Sequence, residues 1–190
     1  VEALDFAGPY EVFTTASRMH ARMQPDNVAP CFSVFTIGRT RLAVRARAGL
    51  KIEPDGSFDD HPALLALIIP GGVMSAELRC PDVASWIAAQ AATNGVRIVA
   101  SVCTGAFLLA QAGLLDGLEA TTHWEDIDEL RAMFPSVRVR EGVRWVDQGA
   151  IVTSAGISAG IDMSLHLVER LADRELALMT ARQMEFDWTQ

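Results

Sequence analysis

Long apolar runs are missing from this chain. None reaches the ~18 residues that a membrane-spanning helix needs, and no stretch has the flanks of a secretory signal. No membrane partner is expected, and a cytoplasmic setting fits. Cysteine is sparse: Cys31, Cys80 and Cys103 are odd in number and lack metal-type spacing, which fits a reducing compartment. The four histidines show neither HExxH nor paired spacing, so a zinc site is not expected. Nothing implies a metal or an organic cofactor. Positive charge is short as well. A net charge of −8 and a pI near 4.9 argue against a nucleic-acid partner. Repeats, low-complexity tracts and linkers are absent, so residues 1–190 are read as one domain with a substantial core. Half of the residues are hydrophobic while charges are spread along the chain, the composition of a soluble globular protein.

What is present is an alternation of strands and helices. Phe32–Ile37 is apolar and β-rich, Leu42–Arg47 alternates, and Leu50–Glu53 continues it as a small ribbon. Arg39, Arg41, Arg45, Arg47 and Lys51 read as the solvated face of a strand, since Leu42, Val44 and Ala46 interleave with them. Leu64–Ile69 reads as a buried strand that stops at Pro70-Gly71-Gly72. Asp82 is placed to cap a helix over Val83–Thr93, which Asn94-Gly95 ends. A strand before Cys103 and a helix to about Ala112 follow. Next come a strand over Glu119–Thr122 and a helix over Trp124–Phe134, stopped by Pro135. Val137–Arg140 and Val143–Val146 form an antiparallel pair or two edge strands. A strand over Ala150–Thr153, a long helix over Ser158–Leu171 and a final helix capped by Asp173 complete the chain.

This order predicts an α/β fold, a three-layer sandwich around a mainly parallel sheet. The site of such a sheet lies beyond the carboxyl ends of its strands. Three loops fall there: Pro70–Gly72, Ser101–Gly105 and Ser154–Gly156. A fold of this kind normally opens with a strand, and none precedes Asp5. A trimmed start or an atypical first strand is therefore expected.

Cys103 is the most informative residue. It stands between the β-branched run 97–102 and an Ala/Leu-rich run, with Gly105 two places on to relieve crowding. The pattern resembles the strand–nucleophile–helix turn of hydrolases, with sulfur replacing the serine hydroxyl. Free N–H groups and the positive end of the helix predict a lowered thiol pKa and a reactive thiolate. The alternative is a small buried hydrophobe. Cys31 and Cys80 are read as inert.

Five segments carry a wider resemblance: Leu4–Phe13, Ile68–Gly72, Ser101–Gly105, Ala120–Trp124 and Thr153–Asp162. In that order they resemble the ThiJ/PfpI superfamily, whose fold is that of class I glutamine amidotransferases. The resemblance implies a flavodoxin-like sandwich with a nucleophile elbow at Cys103. Within the superfamily the pattern is similar to isonitrile hydratase, which adds water to R–N≡C to give an N-substituted formamide. It is similar also to the amidase-like sensor domain of AraC-type regulators. Met184–Trp188 resembles the end of the stand-alone enzymes, and no helix-turn-helix region follows, which favours the enzyme. A glyoxalase-like or redox-sensing cysteine protein is a third reading. Thr104 stands where PfpI-type proteases carry histidine, which counts against a Cys-His peptidase. His166 and Glu169 are spaced as neighbours on one helix face rather than as a glutaminase His-x-Glu element.

The resemblance assigns roles residue by residue. Cys103 is the expected nucleophile and Asp5 the acid/base carboxyl facing it. The bland alternative for Asp5 is an N-cap of a helix starting near Gly8-Pro9. A thiolate beside Asp5 would raise the carboxyl pKa. Thr104 and the Gly72 N–H would support developing charge, and Gly71 and Gly72 would let backbone approach a ligand closely. His123 is an accessory residue, and Ile157 and Ser158 are candidate pocket lining. The expected partners are a small-molecule substrate and a second copy of the chain, with the apolar face of Glu11–Ala16 a candidate pairing surface.

Overall fold

The computed structural model describes residues 1–26 and 29–188. The elements begin with helix α1 (Ala3–Met23) and strands β1 (Ile37–Gly38), β2 (Val44–Arg45), β3 (Lys51–Ile52), β4 (Gly56–Ser57) and β5 (Ala66–Ile69). Helix α2 (Pro81–Ala91), strand β6 (Ile98–Val102), helix α3 (Gly105–Gln111) and strand β7 (Glu119–Ala120) follow. The chain continues through α4 (Ile127–Met133), β8 (Arg138–Val139), β9 (Trp145–Asp147), β10 (Ile151–Ser154), α5 (Ala159–Leu171) and α6 (Arg174–Gln183). Among the described residues no helix is long and apolar enough to cross a membrane.

The central sheet has the order β5-β6-β10-β9. The β5–β6 and β6–β10 pairs are parallel, and only β9 runs antiparallel. Residue parity sorts its two faces, because successive side chains on a strand point to opposite sides. Ile98, Ala100, Val102 and Val152 join one cluster with α1, α5 and α6. Leu67, Ile69 and Val99 join the other with α2, α3 and α4. Two helical layers thus enclose a sheet in which β6, one of the two inner strands, is buried throughout. Its largely apolar run, interrupted only by Ser101, was legible for that reason.

Several local expectations change. Phe32–Ile37 joins a ladder only at Ile37, where β1 pairs with β4. Helix α1 starts at Ala3 rather than near Gly8-Pro9, so Asp5 is not an N-cap but sits in the first turn, and Pro9 lies inside the helix. At the seventh position Pro9 forfeits the bond to the carbonyl of Asp5, and its ring crowds that carbonyl. Asp82 does not cap α2, which Cys80 precedes; its carboxylate pairs with Arg39 at 2.6 Å. Of the two options for Val137–Arg140 and Val143–Val146, two separate edges form: β8 joins β7 in parallel and β9 joins β10. Asp173 does cap α6, accepting from the Leu176 N–H at 2.8 Å. The apolar face of Glu11–Ala16 is no pairing surface. Val12, Phe13 and Ala16 are buried within the chain, where α1 packs on α5 and α6.

Candidate active site

Cys103 occupies the turn between β6 and α3 with φ of 55°. The left-handed region costs a non-glycine residue about 1–3 kcal/mol, and neighbours hold the backbone there. The Cys103 N–H donates to the carbonyls of Ser154 at 3.1 Å and Ala155 at 3.3 Å. The Thr122 hydroxyl donates to the Cys103 carbonyl at 2.9 Å. Gly105 has the expected role, since a Cβ there would strike the carbonyl oxygen of Ile69. The turn tips the side chain toward the carboxyl ends of β5 and β10. There it is only 7% exposed.

Asp5 reaches this point from the first turn of α1 and is fully buried. Its Oδ2 accepts the Gly71 N–H at 3.0 Å. Its Oδ1 is buried with no hydrogen-bond partner among the described residues. Burial pushes the Asp5 pKa up to about 6, against the Gly71 amide and the Cys103 thiol, which favour the charged form. Burial, with the Asp5 charge behind it, pushes the Cys103 thiol up to about 12, against the Thr104 N–H and hydroxyl. The expectation of a lowered thiol pKa is therefore corrected. Desolvation and a neighbouring carboxylate outweigh the end of the seven-residue helix α3. Near pH 7 the two groups together hold one proton, and it rests on sulfur.

Glycines bring the backbone in. A Cβ on Gly71 would lie 2.7 Å from the Thr104 N and 2.8 Å from the Asp5 Oδ2. The Gly72 N–H donates to the Thr104 Oγ1 at 2.8 Å, and that hydroxyl donates back to the Gly72 carbonyl at the same distance. The Gly72 N–H expected to support charge is thus committed to Thr104, leaving the Thr104 N–H beside the sulfur. On the other side, a Cβ on Gly156 would lie 3.0 Å from the Cys103 Sγ and 2.5 Å from the His123 Cδ2. The His123 Nδ1 accepts from the Glu125 N–H at 3.4 Å and lies 3.4 Å from the Asp126 carboxylate.

Of the residues singled out from sequence, Asp5, Gly71, Gly72, Cys103, Thr104 and His123 come together. Ile157 is half-buried, and Ser158 is exposed and accepts from Arg144 at 3.3 Å. Gly156 packs against the sulfur instead. Its signal was its place in the loop after a parallel strand, and the reading moved two residues too far along. His166 bonds Asp147 at 2.7 Å, a surface pairing remote from any glutaminase arrangement with Cys103.

A buried thiol and carboxyl at the carboxyl edge of a parallel sheet, with helices on both faces, define an α/β protein of the cysteine-site class. The chain belongs to the DJ-1/PfpI family, whose model matches residues 1–170. It is 33% identical to the isonitrile hydratase of Pseudomonas putida over 98% of this chain and 74% of that protein. It is 37% identical to the HTH-type transcriptional regulator GbdR of Pseudomonas aeruginosa over 70% of this chain. That match spans only 36% of the regulator's length. Among solved structures, a ThiJ/PfpI family protein from Pseudomonas syringae superposes with a TM-score of 0.83 at 28% identity, covering 100% of this chain and 72% of that one.

Proposed function

We propose that the chain is an isonitrile hydratase-like hydro-lyase, with Cys103 as nucleophile on an elbow and Asp5 as proton carrier. The observation that carries this reading is the buried pair that shares one proton, with one oxygen of Asp5 left without a partner. A 33% identical isonitrile hydratase supports it.

In the first step the thiol proton passes to Asp5 as sulfur attacks the terminal carbon of R–N≡C. Asp5 returns that proton to the same carbon, leaving the thioimidate R–N=CH–S–Cys. Asp5 then takes a proton from water as the hydroxide adds to the carbon, and delivers it to nitrogen. The C–S bond breaks, the hydroxyl proton goes back to sulfur, and R–NH–CHO leaves. The Thr104 N–H, already favouring the thiolate, stabilises sulfur when it carries charge. No step needs a metal or an organic cofactor. Free thiols suit the cytoplasm, and pairing of two copies is part of the proposal; light scattering at micromolar concentration tests it against a 20.6 kDa monomer.

The deciding assay is formation of N-cyclohexylformamide from cyclohexyl isocyanide. Wild-type protein is expected to form it and Cys103→Ala to form none. Product at the wild-type rate from Cys103→Ala overturns the mechanism. No turnover, with saturable binding of a small metabolite, moves the assignment to a ligand sensor of the kind the regulator relatives represent.

A further inference from the structure

The end of β10 and the loop after it meet the nucleophile in two ways. The Ser154 and Ala155 carbonyls accept the Cys103 N–H at 3.1 and 3.3 Å. Gly156 lies where a Cβ would come within 3.0 Å of the sulfur. This segment therefore sets both the left-handed backbone of Cys103 and the space beside its Sγ. Such a backbone persists at a non-glycine residue only where its neighbours over-determine it.

Arg144, the residue before β9, grips that loop at both ends. Its carbonyl accepts the Ala155 N–H at 2.9 Å. Its guanidinium donates to the Ser158 Oγ at 3.3 Å and meets the Asp162 Oδ2 through both Nε and Nη2. Asp162 sits in the first turn of α5 with its side chain fully buried, whereas the Arg144 side chain is 38% exposed. Ion pairs between two exposed residues hold little. Here the carboxylate has left water, so losing the guanidinium would strand a buried charge. Two nitrogens of a rigid fork on one carboxylate also fix a direction, which a lysine ammonium does not. Helix α5 is anchored without this pair, because Met163, Leu165, Leu167 and Val168 are fully buried in the core. What the pair ties down is the four residues between β10 and α5.

We propose that Arg144 is a positioning residue for Cys103. It acts through the Asp162 carboxylate and residues 155–158 on the backbone and the sulfur of the nucleophile. No proton or bond of the reaction passes through Arg144. Its effect on turnover rests on the isonitrile hydratase reading, whereas its effect on the Cys103 backbone does not.

The test replaces the pair by neutral side chains of similar size, Arg144→Met together with Asp162→Asn, so that no charge is left buried alone. Amide exchange is followed at Cys103 and, as a control, at Val99 in β6, whose N–H donates to the Ala150 carbonyl at 2.8 Å. Exchange at Cys103 is expected to rise about tenfold or more and at Val99 to stay within about twofold. With cyclohexyl isocyanide, kcat is expected to fall about tenfold or more and KM to stay within about threefold, because a misplaced nucleophile slows the reacting step. Arg144→Lys keeps a charge facing Asp162 and gives up the fork, so both effects are expected to be smaller there. Unchanged exchange at Cys103 in the double variant overturns the proposal. So does an equal rise at Cys103 and Val99, since the pair then serves the fold as a whole, and so does faster exchange at Cys103 with kcat unchanged. If the double variant does not fold, Arg144→Lys decides: exchange and kcat both at the wild-type level overturn the proposal. A wild type without turnover refutes the hydratase reading and leaves the exchange comparison to decide the role of Arg144.

Discussion

Asp5 and Asp147 are both carboxylates held beside the central sheet, and the fold treats them in opposite ways. Burial raises both. At Asp147 the His166 bond at 2.7 Å, the Gly149 N–H at 2.8 Å and the Arg170 charge at 3.0 Å outweigh it and hold the pKa below the ordinary range. At Asp5 one amide and one thiol do not, and the pKa stands at about 6. A carboxylate surrounded by donors is a fastener, here joining β9 to α5. A buried carboxylate with a spare oxygen costs stability, and such costs concentrate where chemistry is done. The two residues set a satisfied carboxylate against one with an unpartnered oxygen within one molecule.

The largest expected effect is on turnover. Asp5→Asn keeps the shape and removes the proton carrier, so formamide production is expected to fall about a thousandfold or more, close to the loss in Cys103→Ala. Because thiol and carboxyl act as one unit, the double variant is expected to be little worse than either single one. Multiplying losses in the double variant would show two independent groups and break the proposed pair.

Thiol chemistry comes next. Cys80 is exposed and Cys103 buried beside a carboxylate. Iodoacetamide at pH 7 is therefore expected to modify Cys80 about a hundredfold faster, with no loss of turnover at that stage. Asp5→Asn removes the charge that opposes the thiolate and is expected to speed modification of Cys103. Peptide mapping reads both. Faster labelling of Cys103 than of Cys80 in the wild type would restore the lowered-pKa reading.

Stability then sharpens the contrast. The Asp5 pKa rises from 3.8 to about 6 on folding. Between those values the folded state binds more protons than the unfolded one, so wild-type stability is expected to fall as pH rises from about 4 to 6. The shift corresponds to about 3 kcal/mol at pH 7. Asp5→Asn is expected to be more stable than wild type at pH 7 by up to that amount, with the difference vanishing near pH 4. Urea denaturation at the two pH values measures it. A less stable Asp5→Asn at pH 7 would show that the carboxylate is a fastener too.

Legibility in the sequence followed the same divide. Strands β5, β6 and β10 were readable because burial on both faces leaves apolar runs that end at Pro70, Cys103 and Ser154. The turn at Cys103 was readable because the apolar strand run gives way there to an Ala/Leu-rich helix, with Gly105 where a Cβ would meet the Ile69 carbonyl. Within residues 32–57 the ribbon of Leu42–Arg47 with Leu50–Glu53 was readable and forms as β2 and β3. The pairing of β1 with β4 was not, since those strands are two residues long and lie far apart in sequence. The start of α1 was missed because Pro9, a usual first-turn residue, lies seven places into the helix. The site's electrostatics were half visible. A raised Asp5 pKa was expected from a thiolate beside it, but its cause is burial, and the Cys103 thiol works against it. The raised thiol pKa likewise depends on burial that no local pattern encodes.

The smallest expected effect is at the fastener. Asp147 has a lowered pKa, so its contribution is present above the unfolded carboxylate range and is lost as pH falls through the folded value. Asp147→Asn keeps the shape and one acceptor but gives up the charge facing Arg170 and His166. A loss of about 1 kcal/mol is expected at pH 7, shrinking at a pH low enough to protonate the wild-type carboxylate. Turnover is expected to be unchanged, because β9 lies at the sheet edge and β10 separates it from β6. Urea denaturation at the two pH values reads the first part and the formamide assay the second. A variant that keeps its stability but loses turnover would reverse the roles assigned to the two carboxylates, since Asp147 would then act on the site rather than on the fold.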